Sequence, residues 1–225
     1  VEASLVSADG NVKISEGVKG AHRGTIRAKG FIEAAFAEQA VLMAVGDIRI
    51  KTACMLCNIK TNGRLSIAGD RGAFIGGHVR ARKGVDIFNL GSEKGAKTAV
   101  SFGQDYLMAD QIEAEEREIG KVQERIMQID RSMREQEAMN ANMNAVRQEK
   151  IKLLKLLEKR TLRAFDLREK FEEHFPAEIK VRGAVFPGVI LESHNRFLEI
   201  RTRKERVVYT FDLSLGRIVE QALRQ

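Results

Sequence analysis

Apolar and polar residues alternate in short runs along the first third of the chain, and each pair of runs is bent around a glycine. The clearest copies are Ile26-Arg-Ala28-Lys-Gly30-Phe-Ile32-Glu-Ala34, Val45-Gly46-Asp-Ile48-Arg-Ile50 and Ile59-Lys-Thr61-Asn-Gly63-Arg-Leu65-Ser-Ile67. A period of two is that of a half-buried β-strand. Gly30, Gly46 and Gly63 fall 16 and 17 residues apart. A repeat of that length, built of short strands without a helix, predicts a β-solenoid in which each repeat is one coil stacked on the last. An earlier copy stands at Gly10-Asn-Val12-Lys-Ile14. A later one, Val79-Arg-Ala81-Arg-Lys-Gly84-Val-Asp-Ile87, follows the glycine-rich insert between Gly69 and Gly77, which makes about five coils. Glycine is expected at each corner because the chain bends sharply there and glycine takes φ > 0 without steric cost.

Strand parity then sorts the side chains. Ile26, Ala28, Ile32, Ile48, Ile50, Ile59, Thr61, Leu65, Ile67, Val79 and Ala81 are expected to point inward, and Arg27, Lys29, Arg49, Lys51, Lys60, Arg64, Arg80 and Arg82 outward. Arg27, Lys29, Lys60, Arg80 and Arg82 recur in one phase before the corner and form a candidate interaction surface, a basic stripe up one wall. The plainer reading is that long cations guard exposed β surface.

From Asp105 the period changes. Ile112, Ile119, Ile126 and Met133 recur every seven residues, with Val122 and Ile129 at the second seam position, as in a coiled-coil heptad. Asparagines in Met139-Asn-Ala-Asn-Met-Asn144 suit a turn. A second heptad run, Val146, Leu153, Leu157, Ala164, Leu167 and Phe171, ends at Pro176. Two such helices joined by a tight turn bury their seams against each other as an antiparallel hairpin, roughly 45–50 Å long. Arg160 and His174 fall on the seam and require a partner or local exposure. Strands return with Glu178-Ile-Lys-Val-Arg182, a Pro187-Gly188 turn, Val189-Ile-Leu191, Phe197-Leu-Glu-Ile-Arg201 and Val207-Val-Tyr-Thr-Phe211. The expected fold is therefore mainly β, a right-handed β-solenoid (β-helix) interrupted by a long antiparallel helical coiled-coil hairpin. Residues 1–105 form the coils, 106–175 the inserted hairpin, and 176–225 strands that continue the solenoid.

Composition narrows the function classes. The net charge is +7, distributed as +5 over residues 1–105 (15 Lys/Arg, 10 Asp/Glu), −1 over 106–175 (14 and 15) and +3 over 176–225 (9 and 6). Balanced charge on a periodic segment describes a solvated helix face rather than a polyanion-binding arm. No apolar run approaches the ~20 residues of a membrane span. The chain begins at Val1, with a coil almost at once, and is expected to be a piece of a longer protein.

Candidate chemistry is sparse. Cys54-Met-Leu-Cys57 lacks the second Cys or His pair of a zinc site. His22, His78, His174 and His194 are scattered along the sequence. A redox CxxC opens a helix, whereas this one lies between strand segments, where i and i+3 face opposite sides unless the chain turns. Two buried or half-buried structural thiols are expected, with no metal. Glu33, Asp47, Asp70, Asp86 and Glu93 are dispersed, without the paired carboxylates of a glycan-cleaving β-helix. The insert from Gly69 to Gly77 lacks the Gly-Lys-Ser/Thr ending of a phosphate-binding loop. No catalytic residue and no cofactor are expected. With two tyrosines and no tryptophan there is no stacking platform for single strands. Nucleic-acid binding by the basic wall and the cluster Arg201-Thr-Arg203-Lys204-Glu-Arg206 is the alternative to a protein-binding role.

The span from Gly30 to Gly103, with Phe74-Ile-Gly-Gly77 and Leu90-Gly-Ser-Glu-Lys-Gly95-Ala-Lys-Thr98-Ala-Val-Ser-Phe-Gly103, resembles the β-solenoid domain of the bacterial flagellar assembly protein A family. The heptad segment after the last glycine and the Val185-Phe-Pro-Gly-Val189 stretch continue that family's order over nearly the whole chain, with the family's N-terminal region absent. The resemblance implies a cytoplasmic, non-enzymatic scaffold linked to flagellar assembly or placement, with protein partners and no small-molecule substrate. It supplies no catalytic residues.

Overall fold

The computed structural model describes residues 1–137 and 144–223. Within it each coil supplies three strand segments, one to each of three stacked faces. The first coil is β1 (Leu5–Ala8), β2 (Val12–Lys13) and β3 (Gly17–Lys19), and the next begins with β4 (Thr25–Ala28) and β5 (Ile32–Glu38). Then follow β6 (Val41–Ala44), β7 (Ile48–Thr61), β8 (Leu65–Ile67), β9 (Ala73–Ala81), β10 (Gly84–Ile87), β11 (Asn89–Leu90) and β12 (Thr98–Phe102). The long strands β5, β7 and β9 bend from one face to the next, and the β5–β7 ladder shifts register at the bend, between Ala34 and Phe36.

All pairing in this region is parallel. The first face stacks β1, β4, β6, the end of β7, the end of β9 and β12. The second stacks β2, β5, β7, β8 and β10, and the third β3, β5, β7, β9 and β11. This is the expected solenoid of about five turns before the helices.

The inward residues form ladders along the stack. Ile26, Leu42, Ile59, Val79 and Val100 are register partners in succession, as are Ile32, Ile48, Leu65 and Val85, and all are buried. Burial of each large aliphatic side chain contributes about 1.5–3 kcal/mol. Every residue expected to point inward is buried. The outward set is exposed or half-buried.

The corner glycines serve a purpose other than the expected one. Gly30, Gly46 and Gly63 do not have positive φ. They are required by the coil below: a Cβ on Gly63 would lie 2.5 Å from the Asp47 nitrogen and 2.6 Å from the Gly46 carbonyl carbon. The left-handed corner lies between the third and first faces, at Gln39 (φ 48°), Leu56 (φ 52°) and Gly76 (φ 69°). Gly84 also departs from the expected column. Val85 pairs with Leu65, so Lys83 stands where Gly63 stood, and Gly84, at φ 85°, comes one residue later.

Two helices follow, α1 (Tyr106–Glu137) and α2 (Asn144–Glu172). The turn expected around 139–144 lies outside the described residues, except that Asn144 begins α2. The heptad positions are the least exposed: Val122, Ile126, Ile129 and Ala164 are buried, and Ile112, Ile119, Met133, Val146, Leu153, Leu157, Leu167 and Phe171 half-buried. Arg160 on the seam has its partner, donating to buried Glu115 at 2.8 Å. Other ion pairs from α1 to α2 are Glu118–Arg160, Glu115–Arg163, Glu116–Arg168, Arg125–Glu149 and Asp130–Lys150.

The chain divides into two compact units. One is Met108–Glu173, and the other is Val1–Leu107 with the described residues from His174 on. In the β unit the Phe175 N–H donates to the Gly103 carbonyl at 3.0 Å, so the chain leaves and returns at one point. Ala81 pairs with Phe102 and Val85 with Ile179, so the helical unit interrupts the corner that Arg82, Lys83 and Gly84 fill one coil earlier. After it come β13 (Glu178–Val185), β14 (Val189–Ser193), β15 (Arg196–Glu199), β16 (Lys204–Asp212) and β17 (Arg217–Ala222). Strands β13 and β14 stack in parallel on β10, β11 and β12. By contrast β15 pairs antiparallel with β14, β16 with β13, and β17 with β16.

Candidate functional site

On the outer side of the first face the register lines up Arg27, Met43, Lys60, Arg80, Ser101 and Glu192, one from each successive coil. Neighbouring strands are about 4.8 Å apart. Lys60 and Arg80 are therefore adjacent, while Met43 separates them from Arg27. Lys29 ion-pairs with Asp9 at 2.8 Å on an open surface, a contact of at most about 1 kcal/mol.

Arg82 has a structural task. Its guanidinium lies 3.4 Å from Asp105 and 5.0 Å over the Phe175 ring. Asp105 also accepts from Asn62 at 2.8 Å and caps the start of α1 by accepting the Leu107 N–H at 3.1 Å. Of the five stripe residues, Arg27, Lys60 and Arg80 thus share one outward row, while Lys29 and Arg82 are engaged elsewhere in the chain.

The row continues into a polar network. Ser101 donates to Glu192 at 2.7 Å and lies 3.0 Å from His78 Nε2. Burial holds the His78 imidazole below its ordinary value, with Arg80 adding in the same sense and Glu192 opposing. The single Ser101 proton goes to Glu192, so the neutral imidazole donates to Ser101. A serine in that position, 1 % exposed, is an acceptor for histidine rather than a nucleophile it activates. The network ties β9, β12 and β14 together.

Cys54 and Cys57 are both free and both buried. The left-handed Leu56 turns the chain between them, so both side chains face inward. Cys54 stacks between Ala37 and Phe74, and the Cys57 thiol donates to the Met55 carbonyl at 3.3 Å. The hydrogen bond between the two thiols, reinforced by burial, pushes Cys54 well above the ordinary thiol range.

The fold also joins two histidines that are distant in sequence. The His174 and His194 rings are 5.2 Å apart, and His194 stacks on Phe211 at 4.5 Å. Among the described residues no group of three or more His, Cys, Asp or Glu side chains is placed to hold a metal ion.

Sequence reasoning missed a feature of α2. Off the heptad seam, Ile151 (45 %), Leu154 (45 %), Leu162 (60 %) and Phe165 (58 %) are exposed. Their signal was present as apolar residues that no seam position used. Among the described residues no helix is long and apolar enough to cross a membrane.

Against known proteins, the family model for the flagellar assembly protein A β-solenoid domain matches residues 1–216. Comparison with curated proteins and with solved structures gives no match.

Proposed function

Because the chain belongs to the flagellar assembly protein A β-solenoid domain family, we propose that it is a non-enzymatic, cytoplasmic scaffold that holds protein partners during flagellar assembly or placement. The observation that carries this reading is the exposed apolar set Ile151, Leu154, Leu162 and Phe165 on α2. Ile151 with Leu154, and Leu162 with Phe165, are exposed apolar neighbours three residues apart on α2, and exposed apolar side chains grouped in this way mark a contact surface. The outward row of Arg27, Lys60 and Arg80, with Lys29 and Arg82 beside it, is a second contact surface on the solenoid.

The helical unit works as an antiparallel hairpin inserted between coils. Its ion pairs support this order, since Glu115 and Glu116 meet Arg160 and Arg168 late in α2, while Arg125 and Asp130 meet Glu149 and Lys150 early in it. The solenoid winds right-handed, the usual sense for connections between parallel strands. Stacked coils make a stiff support, because each inner coil is hydrogen-bonded to a neighbour on either side.

The test compares the immobilised chain with a Leu162→Ser/Phe165→Ser variant as bait in extracts of flagellated cells. The expected result is a protein captured by the first and lost with the second. Tight binding of generic DNA at physiological salt, with no such protein, would replace this reading with the nucleic-acid one.

A further inference from the structure

A groove of about 450 Å³ opens on the corner between the second and third faces. Four arginines line it: Arg71 from the loop before β9, Arg182 from β13, Arg203 before β16, and Arg206 within β16. Phe88 and Phe186 supply its aromatic walls, and Glu205 is its single lining carboxylate.

The backbone builds this groove by close packing. A Cβ on Gly183 would lie 2.5 Å from the Phe88 ring and 2.7 Å from Asn89 Oδ1. Gly183 N–H donates to the Phe88 carbonyl at 2.7 Å, and Ala184 N–H to Asn89 Oδ1 at 3.0 Å. Opposite them the β13–β16 register shifts between Val181 and Ala184. Arg206 sits in that bulge at φ 51°, a left-handed conformation that an L side chain adopts at a local cost. Bulges of this kind re-aim side chains.

The four guanidiniums are not equivalent. Arg182 lies 3.2 Å from Asp86 and donates to the Ile67 carbonyl at 3.2 Å. Arg203 pairs with Glu205 at 2.8 Å and lies 5.5 Å over the Phe186 ring. Among the described residues Arg71 and Arg206 make no ion pair. Two anchored and two uncompensated arginines therefore share one small concavity, a like-charge arrangement that a bound anion relieves. The arginine fork matches phosphate oxygens two at a time, and the volume lies within the range of small-ligand sites. Glu205 in the lining, with Asp86 paired to Arg182 and Glu93 to Arg203, breaks any continuous positive track, which favours a ligand of the groove's own size over a nucleic-acid strand.

We propose that this groove binds a nucleoside diphosphate, with its phosphates held by Arg71 and Arg206 and its base against Phe88. The site is independent of the α2 surface. The test is calorimetric titration of the whole chain with ADP, with inorganic phosphate and with a glutamate-rich peptide. Saturable 1:1 binding of ADP is expected, weakened at least about tenfold in Arg71→Ala/Arg206→Ala, whose loss is that of charge-assisted hydrogen bonds. Phe88→Leu should weaken ADP while leaving inorganic phosphate unchanged, and Arg27→Ala/Arg80→Ala should change neither. Circular dichroism confirms that each variant is folded. Failure of ADP to saturate, an affinity untouched in the double arginine variant, or binding of the peptide in place of ADP would each overturn the proposal.

Discussion

Alanine substitution down the corner column Gly10, Gly46 and Gly63 should give a graded loss of stability, set by how closely the coil below approaches. An added Cβ meets nothing within 4 Å at Gly10, lies 3.0 Å from the Gly30 carbonyl carbon at Gly46, and lies 2.5 Å from the Asp47 nitrogen at Gly63. Ordinary contact begins at 3.4 Å, so the backbone must give by about 0.4 Å at Gly46 and about 0.9 Å at Gly63. Backbone atoms cannot step aside as a flexible side chain does. Overpacking costs about 1–3 kcal/mol, which places Gly46→Ala near 1 and Gly63→Ala near 3 kcal/mol. None of the three glycines has positive φ. Gly10→Ala should therefore be neutral, or stabilise by up to about 1 kcal/mol through the unfolded chain. At roughly 2–4 °C per kcal/mol for a chain of this size, the β transition should fall by about 2–4 °C for Gly46→Ala and about 6–12 °C for Gly63→Ala. Thermal melts followed in the β-sheet circular dichroism band measure this. Equal losses at all three positions would mean that corner conformation, and not coil stacking, demands glycine.

Other expectations follow from the same geometry. Replacing residues 108–173 with a short Gly/Ser linker should keep the β-sheet signal, because Phe175 bonds directly to Gly103; loss of that signal along with the helix would refute the insertion. Glu115→Ala should destabilise the helical unit by about 1.5–3 kcal/mol, the value of a partly buried charged hydrogen bond, whereas Glu113→Ala, from the exposed pair with Arg117, should cost under about 0.5 kcal/mol; equal helical melts would reject the seam assignment. Cys54 and Cys57 should be inert to a thiol reagent in the native protein and both react once it unfolds, so fast native labelling would show that the two do not face the core. Burial holds His174 and His194 below the ordinary imidazole value, and His174 adds to the depression at His194. The unfolded chain then binds more protons below about pH 6.5, so this stability is complete above that value and lost as pH falls beneath it. His194→Phe should flatten the fall in melting temperature between about pH 7 and pH 5.5, and an unchanged slope would exclude the pair as its source.

Much of the fold was legible because period-two alternation is a direct record of burial. The inward residues from Ile26 to Ala81 could be sorted by parity alone. What parity cannot encode is the contact between coils. It led to φ > 0 as the reason for Gly63, where the cause is the Gly46–Asp47 backbone of the coil below, and it placed Gly84 one position away from its column. The left-handed corner was hidden because Gln39 and Leu56 carry no glycine signal. The same limit applies to the candidate surface. Phase alone grouped Arg27, Lys29, Lys60, Arg80 and Arg82, but only three-dimensional neighbours show that Arg82 serves Asp105 and Phe175. Arg160 was recognised as needing a partner, and its partner Glu115 lies 45 residues away, beyond any local pattern. The antiparallel pairing of β15, β16 and β17 is likewise set by long-range contacts rather than by their residue alternation.

The scaffold reading is tested most directly in a flagellated cell whose full-length gene has been deleted. The deletion should reduce motility or flagellar number, and the native gene should restore them. A gene carrying Leu162→Ser and Phe165→Ser, expressed to the same level and folded, should fail to restore the flagellar count. Full restoration by that variant would contradict the assignment of α2 as the contact surface, and unchanged motility in the deletion itself would contradict the role in flagellar assembly.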